Sequence, residues 1–125
     1  MKRIAFPTDD GETISPHLGR AQFHMVATLD DIGKVEFEKR EKAHHGAEEQ
    51  HGMHEHPGHG MAQMMFASIT DCQVLISGGM GEPAFQHAQA QGLQVLLPAE
   101  KNIKLALESY RAGTLVSDAR RIHKH

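Results

Sequence analysis

Two side chains suited to holding an anionic or metal-bearing ligand, His17 and Arg20, stand three residues apart in the stretch Ser15-Pro16-His17-Leu18-Gly19-Arg20. Neutral imidazole is the commonest metal ligand, and a guanidinium offers planar donors to an anion. Pro16 fixes its own φ and biases Ser15 towards extended backbone, while Gly19 opens angles closed to other residues. The stretch reads as a loop with His17 at its tip. The structural alternative is a loop histidine that simply faces solvent, set against the frequency with which loops carry function.

A second unusual stretch is Gly78-Gly79-Met80-Gly81, which follows a β-branched run and precedes a helical pattern. Glycines ahead of a helix N-terminus leave N–H groups and a partial positive charge available to an anion. The run lacks the lysine and hydroxyl of a nucleotide P-loop and does not match a dinucleotide fingerprint. A tight strand-to-helix turn that needs glycine for geometry alone explains it as well. The third stretch carries His44, His45, His51, His54, His56 and His59, with Glu48, Glu49 and Glu55 interspersed. Imidazoles this dense suit Zn, Ni or Cu(II), yet no pair has a rigid element beneath it, so the alternative is a solvated segment that binds metal adventitiously.

Composition narrows the function classes. At 125 residues the chain fits one domain, residues 1–125, with a single core. A net charge of -3, from 13 basic and 16 acidic residues, supplies no excess of cations for nucleic acid. The single cysteine, Cys72, leaves no intramolecular disulfide and no cysteine-based cage within one chain. Lys2 and Arg3 are followed by Pro7, Asp9 and Asp10 before any apolar run develops, and no run has the length of a membrane span. A cytoplasmic protein without membrane or nucleic-acid partners is expected.

Periodicity places the unusual stretches on elements. Arg3 to Phe6 predicts a first strand ended by Pro7. Gln22 to Leu29 and Lys34 to Glu41 alternate as second and third strands around the turn Asp30-Asp31-Ile32-Gly33, forming an antiparallel meander in which His24 is structural. Residues 42–60 contain almost nothing apolar to offset the entropy of ordering, which predicts a flexible His-rich loop. Met61, Met64, Met65, Ser68 and Ile69 fall at helical spacing, their methionines more suited to core filling than to ligation. Cys72 to Ser77 predicts a strand, Pro83 to Gly92 a helix, Leu93 to Leu97 a parallel strand, and Ile103 to Gly113 a last helix. The tail from Arg120 to His125 is expected to fray. The sum is a mixed α/β sheet with three helices. Following the strand directions, the first connection, the His-rich loop and the glycine run all leave from one rim.

Met1 to Gly11, Ser15 to Ala21, and Ile76-Ser77-Gly78-Gly79-Met80-Gly81 together resemble the dinitrogenase iron-molybdenum cofactor biosynthesis family, which holds NifX, NafY and the C-terminal domain of NifB. The likeness spans nearly the whole chain outside residues 42–60. It implies a ribonuclease-H-like three-layer fold with a five-stranded mixed sheet, the first three strands antiparallel and the last two parallel. It implies that the first and fourth strands are neighbours, with a crevice between the His17 loop and the glycine run. His17 matches the histidine of the family's His-Phe-Gly motif, with Leu18 where phenylalanine is usual. The expected cargo is the iron-molybdenum cofactor, its precursor or a related metal-sulfur cluster, bound by His17, Arg20, Gly78, Gly79, Met80 and Gly81. Nitrogenase or other cluster-assembly proteins would be the partners.

Three functions compete on these residues. The first is a non-catalytic carrier of such a cluster. The second is a metal-ion buffer or sensor using His44 to His59. The third, a metal-dependent nuclease using Asp9 and Asp10, needs more converging carboxylates than the chain provides at that position, and turn formation before Gly11 accounts for both.

Overall fold

The structure is a computed structural model that describes residues 1–18, 21–41 and 66–123. Arg20 and all six histidines of the 44–59 stretch lie outside the described residues, as does most of the first expected helix.

Strand β1 spans Lys2–Thr8 and pairs antiparallel with β2, Phe23–Leu29, which pairs antiparallel with β3, Val35–Glu41. Pro7 does not end β1 as its lack of an N–H suggested. Its carbonyl accepts from Ser15 N–H at 2.8 Å, so its ring nitrogen lies on the side facing away from β2 and the β1–β2 ladder loses no donor. Asp30 builds the β2–β3 turn: its carboxylate accepts from the N–H groups of Ile32 and Lys34 at 3.0 and 2.8 Å, and Gly33 takes φ +89°.

After Gln73, β4 (Val74–Ile76) runs parallel to β1. The two residues Met80–Gly81 form a short strand, β5, leading into helix α1, Glu82–Ala90. Strand β6, Gln94–Leu96, is parallel to β4, and helix α2 spans Ile103–Ala112. Asn102 caps α2 by accepting from Leu105 N–H at 2.9 Å, and Gly113 ends it with φ 78°. The sheet order is β3-β2-β1-β4-β6, a five-stranded mixed sheet with its first three strands antiparallel and its last two parallel.

Both faces of the sheet are covered, which gives three layers. Ala5, Val26 and Leu75 meet Phe66, Ile69, Ala84 and Ala88 on the α1 face. Ile4, Phe6, Ala27, Val74 and Ile76 meet Ile103, Ala106 and Leu107 on the other. This is the alternation of a strand pair buried on two sides.

One expectation lies largely outside the described residues and one needs correction. Three helices are expected, and the described residues contain two α-helices. Within the span of the first expected helix, the described residues form a 3-10 turn at Ala67–Ile69, with Phe66 and Ile69 buried on the core; residues 61–65 lie outside them. The tail does not fray throughout, because Ile122–His123 forms a strand, β7, parallel to β5.

Candidate functional site

The described part of the connection from Thr8 to Gln22 is held down by a series of hydrogen bonds. The Thr8 hydroxyl accepts from Gly11 N–H at 2.9 Å, and the Asp10 carboxylate accepts from the N–H groups of Glu12 and Thr13, both at 2.8 Å. Those donors hold the Asp10 pKa down to about 2, from 3.8. Asp9 accepts from Gln22 N–H at 2.9 Å and closes the far end. Both carboxylates therefore organise the loop. Residues 12–14 are also bound to the start of α2, with Ile103 N–H donating to Glu12 carbonyl at 2.9 Å and Ile14 N–H to Lys101 carbonyl at 2.7 Å.

The glycine run meets this loop directly. Gly78 N–H donates to the Ser15 carbonyl at 3.0 Å, and Leu18 N–H donates to the Gly79 carbonyl at 3.3 Å. A Cβ on Gly78 would lie 2.8 Å from the Ser15 oxygen and 2.9 Å from Pro16 Cα. Glycine is required at 78 because two backbones touch there. The His17 loop and the glycine run meet at one rim as expected, the His-rich loop lying outside the described residues, but the expected crevice between the His17 loop and Gly78–Gly79 is closed by hydrogen bonds. Ser77, fully buried, tightens the same corner by donating its hydroxyl to the Gly79 carbonyl at 2.9 Å.

Within this assembly His17 is exposed, flanked by exposed Pro16 and by Leu18, which is 1 % exposed and embedded in the α1-face core. Leu18 anchors the loop while His17 points outward from a backbone fixed on both sides. The Ser15 hydroxyl accepts from His17 N–H and donates to the His17 carbonyl, both at 3.1 Å, a compact turn at the tip.

The remaining expected contacts divide. Gly81 is the N-cap of α1 with extended backbone (φ −75°, ψ 158°), and no side chain caps the helix among the described residues. Pro83 removes one of the N–H groups that a helix start leaves without an intrahelical acceptor, and Glu82 places a carboxylate in the first turn. Met80 is 2 % exposed and belongs to the core, so only its backbone belongs to the rim. Cys72 lies at the opposite end of β4 and is buried; burial, with Asp71 beside it, pushes its thiol up to about 12. It behaves as a small hydrophobe.

The docking of α2's first residues onto the His17 loop was missed from sequence. Asn102 ahead of an amphipathic run is a readable helix cap, but nothing in the sequence says that the backbone beside it pairs with Thr13.

A three-layer α/β domain whose β1 and β4 are parallel neighbours, one connecting towards β2 and the other towards β6, belongs to the class in which the strand ends at that switch point form the ligand position. The family model described as dinitrogenase iron-molybdenum cofactor matches residues 1–113, and the chain belongs to that family. The apo form of the orange protein from Desulfovibrio gigas is 27 % identical, with 95 % of this chain and 94 % of that one covered and a TM-score of 0.64. Two more distant solved structures share the fold. A candidate NifB protein from Thermotoga is 21 % identical, with 94 % and 93 % of the two chains covered and a TM-score of 0.59. A candidate dinitrogenase from Methanocaldococcus jannaschii is 10 % identical, with 94 % of each chain covered and a TM-score of 0.66. No curated protein matches the chain. No helix among the described residues is long and apolar enough to cross a membrane.

Proposed function

We propose that this protein is a non-catalytic carrier of an anionic metal-sulfur cluster: the iron-molybdenum cofactor, its precursor or a related molybdenum or iron-sulfur cluster. His17 is the imidazole donor, and the N-terminus of α1 with the backbone of Gly78 to Gly81 provides the polar flank. Arg20, three residues from His17 in sequence, supplies charge to the same cargo. The observation that carries this reading is an exposed His17 on a loop whose backbone is locked to Gly78 and Gly79. A ligand held there remains open to a receiving protein, for which nitrogenase or another cluster-assembly protein is the natural class. Asp9 and Asp10 are occupied in loop closure, which removes the carboxylates a nuclease would use.

The test is anaerobic loading of the purified chain with a cluster that absorbs in the visible. His17→Ala is expected to lose the absorption, with thermal unfolding of the variant checking that the fold is kept. Uptake equal to the parent's rejects His17 as the donor. The density of histidines from His44 to His59 supports a second reading, a buffer or sensor for Zn, Ni or Cu. Binding of those ions that vanishes on deletion of that stretch but survives His17→Ala identifies the buffer.

A further inference from the structure

The family match ends at Gly113, the C-cap of α2, but the chain continues back to the candidate site. Leu97 N–H donates to the Ser117 hydroxyl at 2.8 Å, and Asp118 N–H donates to the Leu97 carbonyl at 3.0 Å, which covers the end of edge strand β6. A short turn follows, closed by Arg121 N–H on the Asp118 carbonyl at 3.0 Å and by Arg120 on the Asp118 carboxylate at 3.0 Å. The tail then crosses to the α1 side of the molecule. Ile122 pairs with Met80 and His123 with Gly81, and Ile122 packs on the core group that contains Met80 and Ala84.

Two segments therefore grip the residues leading into α1. The His17 loop holds Gly78 and Gly79, and the tail holds Met80 and Gly81. We infer that residues 118–123 are a docked strap that keeps the first turn of α1 ordered and thereby sets how long cargo stays at the rim. The strap's hold is small by construction: a two-residue parallel bridge and one partly buried isoleucine. Such an attachment belongs to the low end of local opening free energies, so it opens far more often than the sheet beneath it. A protein that captured the freed tail would loosen Gly81 and the start of α1 without touching the cargo. The retention half of this inference rests on the carrier reading above; the docking half does not.

The experiment uses the full chain with Ile122→Asp, and Ile122→Val as the conservative companion. Amide hydrogen exchange is read at Met80, Gly81, Glu82 and Ala84, with the β2–β3 turn as an internal reference. Dissociation of tetrathiomolybdate, an anionic metal-sulfur probe, is followed by visible absorbance. Ile122→Asp is expected to speed exchange at those amides by about tenfold or more, the scale set by losing one buried aliphatic anchor. The reference turn should not change, and probe release should quicken in step. Unchanged exchange at Gly81 and Glu82 overturns the docking. Faster exchange with unchanged release overturns the control of retention. If the parent chain takes up no tetrathiomolybdate, the retention half falls, while exchange still decides the docking and the loading test above still decides the carrier reading. Should Ile122→Asp raise exchange everywhere, Ile122→Val decides: a rise confined to residues 80–84 supports the strap, and a uniform or absent rise rejects it.

Discussion

Replacing Gly78 by alanine tests whether the rim is built by contact between its two loops. The added Cβ would sit 2.8 Å from the Ser15 oxygen and 2.9 Å from Pro16 Cα, well inside the 3.4 Å at which ordinary contact begins. Neither neighbour is a flexible side-chain end; both are backbone, and Ser15 is itself tied to Pro7. The loops must separate, which strains the Gly78–Ser15 and Leu18–Gly79 hydrogen bonds. Overpacking costs about 1–3 kcal/mol and each weakened hydrogen bond about 1 kcal/mol, so a loss of roughly 2–4 kcal/mol is expected. For a chain of this length that is roughly 8–16 °C in Tm. Gly81→Ala is the control. Its Cβ would meet nothing nearer than Pro83 Cδ at 3.7 Å and its φ of −75° suits alanine, so the entropic gain of about 0.4–1 kcal/mol is set against alanine's poorer N-cap, and stability should stay within about 1 kcal/mol of the parent. Thermal and chemical unfolding of the cargo-free proteins measure both. A Gly78→Ala protein that melts with the parent would refute the close-contact account and return Gly78 to a role in ligand approach.

Acid should weaken the first connection in a defined window. The Asp10 pKa is lowered from 3.8 to about 2, so its contribution is fully present above pH 4 and disappears as pH falls towards 2. Asp10→Asn keeps an oxygen acceptor but removes the titration, so the stability gap between parent and variant should narrow across that window in denaturant titrations. A gap independent of pH contradicts the assignment. Cys72, its thiol pushed up to about 12 by burial, should react with iodoacetamide at pH 8 only when the protein is unfolded. Prompt alkylation of the native protein, followed by mass spectrometry, would show that the lower end of β4 opens freely.

The sheet was legible because its signals are local. Val74 and Ile76 mark β4, the alternation through Val26 and Ala27 marks β2, and the Asp30–Gly33 turn joins β2 to β3. That the His17 loop and the glycine run share a rim followed from strand direction, and that they are neighbours there from the family resemblance. What sequence could not supply was the separation between them. Glycine signals both a space left for a ligand and a place where another chain segment lies against the backbone, and only the position of Ser15 relative to Gly78 decides between the two. Met80 stands among those glycines, yet its side chain fills the core and only its backbone reaches the rim. The pairing of Ile122 with Met80 joins residues far apart in sequence through a bridge of two residues, too short to leave a pattern.

The closed contact alters the physical argument for the carrier without weakening it. A crevice between two independent loops would have required the cargo to order both, at a cost charged against affinity. Here the order exists beforehand: Leu18 is buried, Ser15 and Gly78 share a hydrogen bond, and residues 12–14 are fastened to α2. If His17 is the donor, as proposed, it stands on a backbone that is already fixed, so the loop itself would not have to be ordered on binding. On the carrier reading proposed above, an exposed donor on such a base would leave its ligand within reach of a second protein. Preorganised backbone beneath an exposed donor is what a carrier requires, since it must bind without large rearrangement and release by exchange of ligands, not by unfolding.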